Sequence, residues 1–125
     1  MPTYHIEHIH HETKNVTATA QFYQDILGAV PEGEPVVDEN GVTWARLMLA
    51  GLRLTITDRP ASAIGEDRNM GYDHLAVGTS DFEGAVRDLR EKGVEFWLEP
   101  RRPAPGQGIA FIKGPDNSKI ELLES

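Results

Sequence analysis

Two similar stretches decide the fold: Tyr4-His5-Ile6-Glu7-His8-Ile9-His10 near the start, and Tyr72-Asp73-His74-Leu75-Ala76-Val77 past the middle. Each reads as an extended β-strand, in which residues two apart share a face. His8 and His74 occupy matching places, 66 residues apart. A second copy of the same pattern indicates internal duplication, and a repeated unit buries its apolar face against neighbouring structure.

The segments after these stretches repeat as well. Asn15 is placed to cap a helix over residues 16–27, in which Val16, Ala20, Tyr23 and Leu27 form the apolar stripe and Gly28 the stop. In the second copy Ser80 and Glu83 form a capping box, and Gly93 ends the helix. The distances from Asn15 to Ser80 and from Gly28 to Gly93 are both 65 residues, which supports the duplication.

The remaining strands complete two βαβββ modules. The predicted fold class is α+β, with the two tandem modules forming a curved, mostly antiparallel sheet around a concave site and the helices on the convex face. Module 1 covers about residues 1–58, a linker about 59–71, and module 2 about 72–125. Strands are expected near residues 3–10, 29–37, 42–49, 52–57, 72–77, 94–98, 107–113 and 118–123, the second of them loosened by Pro31 and Pro35.

Composition restricts the kind of protein. A chain of 125 residues suits one domain, and the absence of Cys excludes disulfides and thiolate metal sites. No segment approaches the roughly 20 apolar residues of a membrane span, and the start lacks a signal-peptide pattern, so a cytoplasmic protein is expected. A net charge of −8 argues against a nucleic-acid partner. A small-molecule substrate and self-association into a homodimer are expected instead.

Strand alternation places three ligand-type side chains on polar faces. His8 and His10 share a face opposite Ile9, and Glu121 lies opposite Ile120 and Leu122. Shifting Glu121 back by the 66-residue repeat gives Thr55, so His8, Thr55, His74 and Glu121 are equivalent positions. Two imidazoles and a carboxylate suit a divalent transition metal, with coordination positions left for substrate.

These motifs resemble the vicinal oxygen chelate superfamily, which includes glyoxalases, bleomycin resistance proteins and extradiol dioxygenases. The resemblance is carried by four motifs over nearly the whole chain, namely Ile6-Glu7-His8, Phe22 to Gly28, Gly71 to Val77 and Gly114 to Leu122. It implies a single divalent metal, one of Fe, Mn, Ni, Co or Zn, held by His8, His74 and Glu121. The chain departs from glyoxalase I at the fourth ligand, where Thr55 stands in place of a glutamate or glutamine.

The resemblance implies a metal-dependent lyase or isomerase of the glyoxalase type, which chelates two adjacent oxygens of a small substrate and stabilises an enediolate. The missing fourth ligand leaves an extradiol-type ring-cleavage dioxygenase with a 2-His-1-Glu site as an alternative. A non-catalytic, drug-binding protein of the bleomycin-resistance type is the other alternative.

The side-chain type and strand position of other residues suggest further roles. Glu121 and His10 are candidates for proton transfer, and Tyr72 for a hydrogen bond to an oxyanion. Arg53, near the expected metal, suits an anionic substrate, unless it pairs with a carboxylate at the rim. The predicted substrate-binding residues are Trp44, Arg46, Arg53, Thr55 and Phe111.

Overall fold

The structure is a computed structural model that describes residues 2–59 and 70–125. Within these ranges the chain forms nine β-strands and two α-helices, with parallel and antiparallel strand pairs, so the predicted α+β class is confirmed. The elements in chain order are β1 (His5–Glu12), α1 (Val16–Leu27), β2 (Val30–Pro31), β3 (Val36–Val37), β4 (Thr43–Leu49), β5 (Leu52–Thr57), β6 (Gly71–Thr79), α2 (Phe82–Glu91), β7 (Phe96–Arg101), β8 (Ile109–Lys113), a 3-10 turn (Pro115–Asn117) and β9 (Lys119–Glu124).

The chain divides into two compact units. The first unit contains residues 8–73, and the second contains residues 1–7 with residues 74–125. The boundaries therefore fall inside β1 and β6. Most of the predicted linker, residues 60–69, lies outside the described residues.

In the first unit the strands follow the order β2-β4-β5-β1, with β3 also paired to β4. β1 and β5 run parallel, and the other pairs are antiparallel. Helix α1 packs on β4 and β5 through an apolar cluster. Its buried members are Val16, Ala20, Tyr23, Ala29, Ala45, Leu47, Leu54 and Ile56. Because Leu54 and Ile56 face the helix, Thr55 and Thr57 lie on the other face of β5.

The predicted strand over residues 29–37 is wrong in its length. Only Val30–Pro31 and Val36–Val37 pair with β4, as two short segments. Pro31 and Pro35 lack the amide hydrogen that a continuous ladder requires, and Gly33 between them has a positive φ of 81°. The chain therefore bends between two brief pairings.

The predicted boundaries of α1 are confirmed. The side chain of Asn15 accepts a hydrogen bond from the amide of Ala18 at 3.0 Å, and Gly28 ends the helix with φ 72°. Leu27, predicted in the buried stripe, is 55% exposed because it occupies the last turn of the helix.

In the second unit the strands follow the order β6-β9-β8-β7. β6 and β9 are parallel, whereas β9, β8 and β7 form antiparallel pairs. Helix α2 covers one face through a cluster with β8 and β9. Its buried members are Phe82, Ala85, Ala110 and Leu122, with Val77, Val86, Leu89 and Phe96 partly buried against them. Glu121 lies on the opposite face from Leu122.

The N-cap of α2 differs from the prediction. Asp81, not Ser80, caps the helix, and its Oδ1 accepts a hydrogen bond from the amide of Gly84 at 3.0 Å. Both residue types are good caps, and the carboxylate adds a favourable interaction with the helix dipole. The helix consequently begins at Phe82.

The last predicted strands are confirmed with small shifts in their ends. The first of them is displaced toward the C-terminus and spans Phe96–Arg101. In the described part of the chain, neither helix has the length and apolar character required to cross a membrane.

Candidate functional site

The strand register within each unit agrees with the 66-residue repeat. In the first unit the parallel pair of β1 and β5 sets His10 beside Thr55. In the second unit the parallel pair of β6 and β9 sets Ala76 beside Glu121. Both members of one pair are 66 residues from their counterparts in the other, so the same register was kept in both copies.

His74 and Glu121 form a buried pair in the second unit. The imidazole Nε2 of His74 lies 3.1 Å from Oε1 of Glu121, and the two side chains are 2% and 11% exposed. Phe111 packs edge-on against the His74 ring, with 5.0 Å between ring centroids. An apolar wall on one side and a carboxylate on the other fix the orientation of the imidazole.

Lys119 accompanies this pair and was missed by the sequence analysis. It is the register partner of His74 on β9 and lies two residues before Glu121, so it occupies the same face of the strand. The residue is only 9% exposed, although lysine is seldom buried without a specific interaction. The second unit therefore places an imidazole, a carboxylate and an ammonium group on one face.

His8 and His10 form the corresponding group in the first unit. They are 9% and 3% exposed, and their rings lie 5.9 Å apart between centroids. Each offers a ligating nitrogen, and these two atoms lie within 4.8 Å of each other. The prediction that they share one face of β1 is therefore supported by their contact.

A buried polar network holds His10. Its Nε2 lies 2.8 Å from Oγ1 of Thr57 and 3.0 Å from Oε1 of Glu12, and the Thr57 hydroxyl donates to the same carboxylate oxygen at 2.9 Å. Glu12 and Thr57 are 1% and 0% exposed. Neither residue was predicted to be part of the site, because the contact depends on the register between β1 and β5.

These groups fit the chemistry of a divalent metal. Donor nitrogen and oxygen atoms bind zinc at about 2.0–2.2 Å, which in a tetrahedral site places neighbouring ligand atoms about 3.3–3.6 Å apart. Nε2 of His74 and Oε1 of Glu121 lie 3.1 Å apart, at hydrogen-bonding distance, so a small separation of the two side chains would admit an ion between them. Burial of neutral imidazole and carboxylate ligands also matches a site shielded from bulk water.

Trp44 and Arg46, both predicted to bind substrate, contact each other on β4. The indole N–H of Trp44 donates to Asp38 at 2.9 Å, and the Arg46 guanidinium lies 5.1 Å above the ring. The pKa of Asp38 is lowered, chiefly by this hydrogen bond. The edge of Trp44 also approaches His10, with 6.1 Å between ring centroids. Trp44 therefore forms an aromatic wall beside His10.

Arg53 pairs with a rim carboxylate, which is the alternative foreseen for it. Its Nε donates to Oε1 of Glu32 at 2.9 Å, and both side chains are more than one third exposed. Thr55, by contrast, is 2% exposed beside His10. Neither contact identifies a substrate, and their roles in binding stay predictions.

Tyr72 lies among residues on the helix-covered side. Its hydroxyl is 3.1 Å from that of Tyr23 in α1, and its ring packs against His11. Burial, followed by this hydrogen bond, raises the pKa of Tyr23, while burial lowers the pKa of His11. Tyr72 is nevertheless 64% exposed, and its hydrogen bond to an oxyanion stays a prediction.

The family of the chain can now be stated. The family model described as "Glyoxalase/Bleomycin resistance protein/Dioxygenase superfamily" matches residues 5–122. The chain belongs to this superfamily, and the resemblance found in the sequence is confirmed.

Two lactoylglutathione lyases and one epimerase are among the similar proteins. "Lactoylglutathione lyase GLX1" of Arabidopsis thaliana is 38% identical over 60 residues, which are 46% of this chain and 21% of that protein. "Probable lactoylglutathione lyase" of Synechocystis sp. is 35% identical over 60 residues, 47% of this chain and 46% of that protein. The matched part thus spans less than half the length of either lyase.

The structure of a single-residue variant of Streptomyces coelicolor methylmalonyl-CoA epimerase, in complex with 2-nitronate-propionyl-CoA, is similar over almost the full length. The TM-score is 0.70 and the identity 30%, covering 97% of this chain and 94% of that chain. These relatives are enzymes with small-molecule substrates. They support an enzymatic function for this superfamily member without fixing its reaction.

Proposed function

We propose that this protein is a divalent-metal-dependent lyase or isomerase that moves a proton at a carbon atom next to the two adjacent oxygens of a small substrate. The observation that carries the proposal is the buried pair of His74 and Glu121 at the positions matched by the repeat. The proposal is also supported by the full-length similarity to an epimerase and the partial similarity to two lyases.

In this proposal His8, His74 and Glu121 hold the metal. When bound there, the metal would supply Lewis-acid chemistry: it would draw electron density from the substrate oxygens and make the neighbouring C–H group more acidic. Glu121 is the proton-transfer group. Its carboxylate, which lies beside His74, is assigned to take up and return the proton.

The surrounding residues bind and orient the substrate. Lys119, buried on the face of Glu121, supplies a positive charge toward an anionic substrate. Phe111 shields His74 from water, and Trp44 offers an aromatic surface. Arg46 and Arg53 provide further cationic groups at exposed or half-exposed positions.

The first test is the metal content of protein purified without a His tag, measured by elemental mass spectrometry. About one equivalent of a transition metal per chain is expected, with loss of the metal in His74→Ala. His5→Ala is the matched control, because His5 is exposed and bonds Ser125 instead. If the purified protein contains no metal, and binds none after incubation with Fe, Mn, Ni, Co or Zn, the non-catalytic binding alternative replaces the proposal.

The second test concerns the reaction. Metal-loaded protein in D₂O is expected to exchange the substrate C–H for C–D, measured by proton NMR on methylmalonyl-CoA and on lactoylglutathione, which the relatives' names suggest. Glu121→Gln should slow the exchange by about 100-fold or more, as loss of an acid–base group does. Iron in the protein together with oxygen uptake on a catechol, and no C–H exchange, would favour the dioxygenase alternative.

A further inference from the structure

The two copies of the repeat differ in which strand of the parallel pair carries the long, ligand-type side chain. In the second unit the small residue, Ala76, lies on β6 and its long, ligand-type partner, Glu121, lies on β9. In the first unit the short residue, Thr55, lies on β5, and its partner on β1 is the imidazole of His10. The space beside Thr55 is therefore adjacent to a side chain that can itself bind a metal.

The network around His10 determines which ring nitrogen carries the proton. The carboxylate of Glu12 can only accept hydrogen bonds, and Nε2 of His10 lies 3.0 Å from its Oε1. A lone pair at that distance from a carboxylate oxygen would be repelled, so Nε2 bears the hydrogen. Thr57 donates to the same carboxylate, which leaves its oxygen lone pairs to accept from Nε2. A neutral His10 consequently has its basic lone pair on Nδ1.

We propose that His10 is an additional metal ligand, binding through Nδ1 to the ion that His8 binds, in place of a ligand from the position of Thr55. Glu12 and Thr57 are positioning residues: they fix the tautomer and the ring orientation of His10, as a carboxylate behind a metal-bound histidine does. One ring nitrogen of His8 and one of His10 lie within 4.8 Å of each other, so the two rings are close enough to bind a single ion after small side-chain adjustments.

This inference rests on the proposed function, since it concerns the same metal. It assigns His10 to the metal and not to proton transfer, and it gives a physical role to the two most deeply buried polar side chains around His10. It also explains how the first module can contribute a strong neutral ligand when Thr55 offers only a weak hydroxyl.

The test uses Co²⁺ as the probe, with affinity from competition titration and ligand number from the visible absorption of the bound ion. His10→Ala is expected to weaken Co²⁺ binding by about 100-fold or more and to change the spectrum. Glu12→Gln should weaken it by about 10- to 100-fold while the spectrum keeps its shape, as loss of an outer partner does. His11→Gln is the control, because His11 on the same strand bonds Tyr23.

A second measurement needs no substitution at the site. In ¹⁵N-labelled wild-type protein without metal, NMR of the imidazole nitrogens should show hydrogen on Nε2 of His10. Addition of Zn²⁺ should then shift Nδ1 of His10 and leave its Nε2–H bond in place. Zn²⁺ binding at His8 with no change at His10 Nδ1 would overturn the inference, even if His10→Ala fails to fold.

The outcomes separate the two proposals. If His8→Ala and His74→Ala lose Co²⁺ while His10→Ala keeps wild-type affinity and spectrum, the ligand role of His10 is wrong and the metal-dependent function stands. If the wild-type protein binds neither Co²⁺ nor Zn²⁺, the proposed function fails together with the inference.

Discussion

At the scale of single residues, Glu121 is the most informative side chain to change. Glu121→Gln keeps the size of the side chain but removes the charge beside His74. Metal affinity should fall at least about tenfold, because a neutral amide is a poorer ligand than a carboxylate. Isothermal titration with Zn²⁺ measures the change.

Glu124→Gln is the matched control on the same strand. Glu124 accepts hydrogen bonds from Arg102 and from the amide of Gly108, and these bonds, led by that of Arg102, lower its pKa. Zn²⁺ affinity should be unaffected in this variant. Equal losses in Glu121→Gln and Glu124→Gln would mean that charge at this end of β9, and not ligation by Glu121, supports metal binding.

The sequence predicted His74 and Glu121 because a 66-residue repeat and strand alternation are visible without a structure. It did not predict Glu12 and Thr57 around His10. Their contact depends on the register between β1 and β5. These strands are separated in sequence by a helix and other strands, so their register cannot be predicted from the local sequence pattern. The only local signal was that Glu12, His10 and His8 share one parity along β1.

At the scale of elements, the N-terminus of α2 offers a direct comparison of two adjacent caps. The structure assigns the cap to Asp81, whose carboxylate accepts from Gly84, while Ser80 is exposed and precedes it. Asp81→Ala should lower the free energy of unfolding by about 1 kcal/mol, the usual cost of losing an N-cap. Urea unfolding followed by circular dichroism measures the loss.

Ser80→Ala is the control for this prediction, and it should change stability by no more than a few tenths of a kcal/mol. If Ser80→Ala destabilised the protein more than Asp81→Ala, Ser80 would be the N-cap, as predicted from the sequence. The ambiguity has a physical origin: Ser-Asp offers two consecutive residues with suitable oxygens, and only the backbone angles at the start of the helix decide between them.

Backbone geometry also limited the prediction at residues 29–37. The apolar residues there suggested one strand, but Pro31 and Pro35 permit only two short pairings.

At the scale of the whole molecule, the expected homodimer can be argued from an uncovered surface of α1. Phe22 and Ile26 are four residues apart, share one side of the helix, and are 55% and 64% exposed. Soluble monomers seldom leave large neighbouring apolar side chains uncovered, and a twofold axis would bury this side against a second copy. The net charge of −8 opposes close approach of two copies, so association depends on apolar contact.

Light scattering coupled to size-exclusion chromatography should therefore give twice the chain mass of 13.9 kDa. Ile26→Glu should shift the protein toward the monomer, because it adds a charge that the contact would have to bury. Thr17→Glu adds the same charge on the opposite side of α1 and should leave the dimer intact. A monomeric wild-type protein at micromolar concentration would rule out the dimer, and a dimer unaffected by Ile26→Glu would place the interface on another surface.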